Sequence, residues 1–214
     1  MKHPFLLAAP ALLGLSALAA VGVATALALP ARGDARRLAA LIDEAADDTR
    51  PLARLAVEVL TVGGHAAAAR GLGLELLRVR PEAPEHGRRW LERAALQGDA
   101  LAAYALARSL RSGDGGPREL ERAVPYLEQA AASGLAPAHF LLGNAYRDGE
   151  GVPADPARAL AHYQAAAERE DPTALQTLLQ AYRLGELGVQ PDPERAEALM
   201  RELEHAVHEQ RPLL

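Results

Sequence analysis

The segment LLGNAYRDGEGVPADPARALAHYQAAAERE, residues 141–170, has relatives at a fixed distance on both sides. Sliding it and its lead-in back by 36 residues sets Ala138, Leu142, Gly143, Tyr146, Gly149, Gly151 and Pro153 on Ala102, Leu106, Ala107, Leu110, Gly113, Gly115 and Pro117. In the second half, Ala159, His162, Tyr163, Ala166 and Ala167 fall on Ala123, Tyr126, Leu127, Ala130 and Ala131. Forward by 36 lie Ala174, Leu178, Tyr182 and Gly185, and one added residue in GELGV moves the offset to 37 for Ala196, Leu199 and Met200. Upstream, Trp90, Leu91, Ala94, Ala95 and Gly98 sit 36 before Tyr126, Leu127, Ala130, Ala131 and Gly134. The loop PEAPEHG is two residues shorter, which places Ala68, Leu72, Gly73 and Leu76 34 before Ala102, Leu106, Ala107 and Leu110. A period in this range marks a stack of supersecondary units, each burying its apolar face against its neighbours.

Inside a unit, apolar residues recur every three or four positions, first at Ala138, Leu142, Ala145 and Tyr146, then at Ala159, Tyr163 and Ala166. That is the spacing of one helix face, and it predicts a helix A over 136–148 and a helix B over 155–169 in the third unit. Asp155-Pro156, Asp171-Pro172 and Asp192-Pro193 each put a capping acceptor before a proline at the first helical position. Gly149 and Gly113 follow the last turn of helix A, where the left-handed backbone is easiest for glycine. Gly143, Ala107 and Gly73 predict close approach of helix A to its own helix B, with Tyr146, Leu110 and Leu76 filling the gap at the turn. The glycines of GEGVP therefore read as a connector. No strand precedes them and no lysine follows, as a phosphate cradle would require.

Half of the 214 residues are apolar and only 4% are aromatic, with Ala, Leu and Arg dominant, which suits close-packed helices and is poor for sheets. The absence of cysteine excludes disulfides, thiol nucleophiles and cysteine-based zinc sites. Lys2 is the only lysine, so the rest of the chain holds no phosphate-loop lysine, Schiff base or Ser-x-x-Lys acylation centre. Past the first 31 residues the serines are Ser109, Ser112 and Ser133, none in a Gly-x-Ser-x-Gly turn, and no His-Glu-x-x-His occurs. A net charge of −5 with interspersed signs gives a nucleic-acid role no electrostatic support. No catalytic residue and no cofactor is expected. His205 and His208, three apart on the last helix beside Glu204 and Glu209, form the one metal-site candidate. The other reading of them is a solvated helix end where histidine suits the negative dipole. His139 and His162 read as isolated packing or surface residues.

Residues 1–30 depart from the rest. From Pro4 to Ala31 there is no charge, with Lys2 before and Arg32, Arg36 and Arg37 after. The run reads as an export signal with Ala26-Leu27-Ala28 before a cut, or as an uncleaved anchor, since Phe5–Pro30 is long enough to span a bilayer. In either case the remainder is expected in the periplasm, free or held at the inner membrane. Residues 31–63, with two helices broken at Arg50-Pro51, read as a helical cap or degenerate repeat ahead of a repeat domain over 64–210.

The pattern A-x3-L-G-x2-Y-x2-G-x-G-V-x3-D, followed by A-x2-[aromatic]-Y-x2-A-A, resembles Sel1-like repeats, relatives of tetratricopeptide repeats. The resemblance covers about 65–208, as units 65–98, 99–134, 135–170 and 171–208, and the third is nearest the pattern. His162 and Leu199 stand where the family favours an aromatic, and Leu179 where it favours glycine. The resemblance implies an all-α fold, a right-handed α-solenoid of helix-turn-helix repeats behind an N-terminal signal or anchor helix. It also implies a non-catalytic scaffold or adaptor in the bacterial cell envelope. By the tetratricopeptide arrangement, the A helices line a concave groove through Tyr104, Arg108 and Arg111, then Phe140, Asn144 and Arg147, then Gln176, Gln180 and Arg183, with Arg70 and Leu74 in the first unit. Arg111, Arg147 and Arg183 are one period apart, a guanidinium ladder suited to the carboxylates of an extended segment of another envelope protein or of an acidic glycan. Asn144 and Gln180 suit a peptide backbone. Alternatively, these arginines shield helix ends and pair with Asp148 or Glu186. Two further classes follow from the resemblance: a polysaccharide-export or cell-wall-associated factor contacting glycan, and a hydrolase of the penicillin-binding type. The hydrolase belongs with a cysteine-rich branch, from which this chain departs.

Overall fold

In the computed structural model, residues 66–79, 84–114 and 116–209 are described, and every regular element among them is an α-helix. The expected signal or anchor over 1–30 and the cap over 31–63 lie outside the described residues. The helices are α1 (Ala66–Val79), α2 (Pro84–Leu96), α3 (Ala100–Ser112), α4 (Leu120–Ala132), α5 (Ala136–Asp148), α6 (Pro156–Ala167), α7 (Pro172–Leu184) and α8 (Pro193–Glu209). Odd-numbered helices are the A helices of successive units and even-numbered ones the B helices. Among the described residues no helix is long and apolar enough to cross a membrane. The chain divides into two compact units, one ending at Asp99 and holding α1 and α2, the other beginning at Ala100 and holding α3 to α8.

In the first unit, α1 and α2 form a hairpin whose seam is set by glycine. A Cβ on Gly73 would stand 2.8 Å from Leu91 Cγ and 2.9 Å from the Gly87 carbonyl oxygen, and one on Gly87 2.7 Å from Leu77 Cγ. Ala68, Ala69, Leu72 and Leu76 of α1 and Leu91, Ala94 and Ala95 of α2 are buried around this contact. Arg70 donates through Nη1 to both carboxylate oxygens of Asp99 at 2.7 Å, closing the hairpin at its open end.

The second unit stacks three hairpins in sequence order, an α-solenoid in which α3 pairs with α4, α5 with α6 and α7 with α8, while α4 packs on α5 and α6 on α7. Its seams are lined by alanine and leucine, with one large aromatic, Tyr163, fully buried. The tyrosine ring lies over Gly143, where an added Cβ would come within 2.5 Å of Cε1. Small-against-large packing at one register thus fixes the hairpin distance. The helix starts follow the expected chemistry. Asp155 Oδ1 accepts from the Arg158 amide at 3.0 Å, Asp171 Oδ1 from Thr173 and Ala174 at 3.0 and 2.9 Å, and Asp192 Oδ1 from Arg195 at 3.0 Å. At the other end of the A helices, Gly149 and Gly185 take left-handed φ values of 71° and 75° and donate to the Ala145 and Ala181 carbonyls.

The last helix departs from the period. By its offset Met200 falls on Tyr163, the seam position, yet Met200 is 46% exposed and Leu199 is fully buried. A helix buries one stripe, and on α8 that stripe runs through Ala196, Leu199 and Ala206, which brings Leu199 rather than Met200 under α7.

Candidate functional site

The nine A-helix positions of the second unit occupy matching places on α3, α5 and α7. Tyr104, Phe140 and Asn144 are half-buried, whereas Arg108, Gln176, Gln180 and Arg183 are exposed. The Arg108 guanidinium lies 5.9 Å from the Tyr104 ring centroid, an arginine over an aromatic face. Phe140 leans on Tyr163 with ring centroids 5.7 Å apart, and the Tyr163 hydroxyl donates to Asn144 Oδ1 at 2.7 Å. Tyr163 is therefore a B-helix residue that runs across Gly143 and ends among the A-helix positions. Burial raises its phenol pKa, while the nearby Arg147 and Arg111 charges pull the other way.

The three arginines that share a register have three different surroundings. Arg111, only 17% exposed, donates through Nη2 to Glu150 Oε2 at 2.8 Å. Arg118 donates to the other oxygen of Glu150 at 3.1 Å and, through Nε, to the Arg111 carbonyl at 2.8 Å. One carboxylate in the turn after α5 thus gathers two arginines of the preceding hairpin. The Arg111 hydrogen bond is the main reason the Glu150 carboxyl sits below the usual glutamate range. In the same turn, Gly151 (φ 77°) packs its bare Cα against the Leu120 backbone, where a Cβ would lie 2.5 Å from the carbonyl oxygen. Arg147 turns to its neighbour Asp148, with Nε and Nη2 each 2.8 Å from a carboxylate oxygen, while Glu186 acts on it at longer range. That hydrogen-bonded pair holds Asp148 low and Arg147 high. Arg183 forms no ion pair among the described residues. Two recesses flank it, one of 390 Å³ between α7 and α8 and one of 330 Å³ beside Gln176 and Gln180. In the first unit, Arg70 is held by Asp99 and Leu74 is 46% exposed.

His139 and His162, read from the sequence as isolated, lie together. Their Nδ1 atoms are 3.2 Å apart, one on each helix of the third hairpin. Their separation of 23 residues fits no motif, and only the hairpin turn brings them face to face. His162 stacks on Tyr146 with centroids 5.5 Å apart and planes 3° from parallel, and the Arg158 guanidinium lies over the Tyr146 ring, 4.2 Å from its centroid. Burial lowers the pKa of both histidines; the Arg169 charge adds to this for His139, and the His139 and Arg158 charges for His162. His205 and His208 are exposed on α8, and no group of three metal-ligating side chains forms among the described residues.

The sequence matches the family model for the Sel1 repeat at residues 66–99, 100–135, 136–171 and 180–202, more than half of the chain. No curated protein matches it. Among solved structures, the protective antigen c5321 of uropathogenic Escherichia coli, with an SLR fold, superposes with a TM-score of 0.65 at 25% identity, covering 72% of this chain and 33% of its own. A Sel1 repeat protein from Oxalobacter formigenes superposes with a TM-score of 0.60 at 25% identity, covering 76% of this chain and 64% of its own. The chain thus spans a third of the first structure's length and under two thirds of the second's.

Proposed function

We propose that this chain, which belongs to the Sel1 repeat family, is a non-catalytic interaction scaffold of the bacterial cell envelope that holds an acidic, extended segment of another envelope protein along its A helices. Sel1 repeats generally mediate protein–protein contact. The observation that carries the reading is the sign of the surface. None of the nine A-helix positions is a carboxylate although the chain is net negative, and Arg108 and Arg183 stand exposed there. Tyr104 and Phe140 add half-buried aromatic edges, which enrich binding surfaces. Gln176, Gln180 and the Asn144 amide supply donors and acceptors for a peptide backbone. The charge-free run from Pro4 to Ala31 supports a periplasmic place for the repeats.

The test is capture by the exported form of the chain, compared with an Arg108→Glu/Gln176→Glu variant whose far-UV circular dichroism matches the parent. The expected result is a protein that binds the parent, is displaced by poly-glutamate and is lost on the variant. Equal capture by both would remove the A-helix face from consideration. Bound polysaccharide in place of protein would turn the reading to the wall-associated, glycan-contacting class.

A further inference from the structure

In the other three hairpins the seam position on the A helix is Gly73, Ala107 or Gly143. At Gly73 and Gly143 even one added carbon would collide with the B helix, at 2.8 and 2.5 Å. The last hairpin carries Leu179 there, and Met200, the periodic counterpart of Tyr163, does not fold over it. Here lies the 390 Å³ recess between α7 and α8, lined by Leu179, Tyr182, Ala196 and Met200 together with Arg183 and Glu197. That volume falls within the range of clefts that hold ligands, about 300–1,000 Å³. The smaller recess shares Leu179 and Arg183 and ends at Leu184, which is 63% exposed. An exposed arginine therefore borders both recesses, the larger lined mainly by apolar side chains and the smaller by Gln176 and Gln180 with Leu179 and Leu184.

The repeat supplies its own template for what fits. Arg111, 72 residues before Arg183, receives Glu150 from the turn of the following hairpin, and two residues beyond that carboxylate comes Val152. Arg147 has Asp148. Arg183 alone of the three forms no ion pair among the described residues; it is exposed and lines the recess with Leu179 and Met200, the Glu197 carboxylate being part of the same lining. A buried apolar group with a charge-assisted hydrogen bond beside it is a combination that gives both affinity and register.

We infer that Arg183 and the α7–α8 recess are the anchor of the bound segment: a partner carboxylate takes on Arg183 the place Glu150 has on Arg111, and an adjacent bulky apolar side chain fills the recess over Leu179 and Met200. This rests on the A-helix face being the binding surface. It adds that the ligand is acidic and apolar within a few residues, and that the C-terminal hairpin, not the middle of the stack, fixes its register.

The experiment is selection of a random short-peptide phage library on the full chain. Each enriched clone is then retested on Arg183→Glu, Met200→Asp and Arg108→Glu. All three positions are exposed, and circular dichroism checks each variant's fold. Enriched clones should carry Asp or Glu within about two residues of Leu, Phe or Met, as the Glu150–Val152 spacing suggests. They should lose about tenfold or more in affinity on both Arg183→Glu and Met200→Asp, the scale of one lost charge-assisted or well-buried contact. Clones that weaken on Arg108→Glu but ignore the other two variants would overturn the anchor and leave the A-helix surface standing. Clones indifferent to all three variants, or no enrichment, would overturn both.

Discussion

Gly143→Ala tests the contact that sets the hairpin distance. The added Cβ would lie 2.5, 2.7 and 2.9 Å from Tyr163 Cε1, Cδ1 and Cζ, while ordinary contact begins at 3.4 Å, so ring and backbone must part by about 1 Å. The ring has nowhere to go: it is fully buried, flanked by Phe140 and tied through its hydroxyl to Asn144. Overpacking of this kind costs about 1–3 kcal/mol. The gain from replacing a helical glycine by alanine offsets about 1 kcal/mol of that. With an immobile ring the upper part of the range applies, leaving a net loss of about 2 kcal/mol. Tyr163→Leu alone gives up the hydroxyl bond and part of the ring's burial, about 2 kcal/mol. The double variant installs Ala and Leu, the pair that α3 and α4 already carry fully buried at this register as Ala107 and Leu127. It should lose only about 1 kcal/mol rather than the additive 4, because the helical gain of alanine is kept once the overpacking is relieved, a coupling of about 3 kcal/mol. Urea unfolding followed by far-UV circular dichroism measures all three. Additivity within about 0.5 kcal/mol would refute the claim that Gly143 is small because Tyr163 lies on it.

Three further outcomes follow from the same geometry. Glu150→Gln should destabilise the chain by about 1–2 kcal/mol in urea, discounted because Arg118 is largely exposed, and should remove part of the loss of stability seen as pH falls through the depressed carboxyl range. For His139 and His162 the fold favours the neutral form, so below the unfolded pKa of about 6.5 the unfolded chain binds more protons than the native one. Stability is therefore full above about pH 6.5 and declines on acidification, and His162→Tyr, which copies Tyr126 of the preceding unit, should flatten the melting temperature between about pH 5 and 7. Asp171→Ala removes the acceptor for two amides at the start of α7 and should cost about 1 kcal/mol by thermal unfolding.

What the sequence makes legible is what repeats locally. The helix pair expected over 136–148 and 155–169 is found at Ala136–Asp148 and Pro156–Ala167, because the apolar spacing, the Asp-Pro caps and the C-terminal glycine all act within a few residues of each other. The close approach of α5 to α6 at Gly143 is legible for a related reason, since a small residue recurs there as Gly73 and Ala107, but that Tyr163 lies on it is not, because its register holds Leu91, Leu127 and Met200 in the other units. Contacts without a periodic partner are hidden. Glu150 reaches back 39 residues to Arg111, and its only trace in the sequence is the Gly-Glu pair recurring at Gly185-Glu186. The His139–His162 pair leaves no trace, since neither position holds histidine elsewhere. Met200 was legible only as an offset, and the stripe that α8 buries is chosen by packing that an offset does not contain.

Glu150 also decides how the stack yields when pulled. It ties the turn after α5 to the hairpin before it, and no comparable side-chain link joins α6 to α7 among the described residues, where Arg147 has turned to Asp148 instead of Glu186. Under tension from the C-terminal side, α7 and α8 should peel away at low load while α3 to α6 hold and then rupture in one step. A partner hooked onto the last hairpin would thus meet a yielding leash on a firm footing.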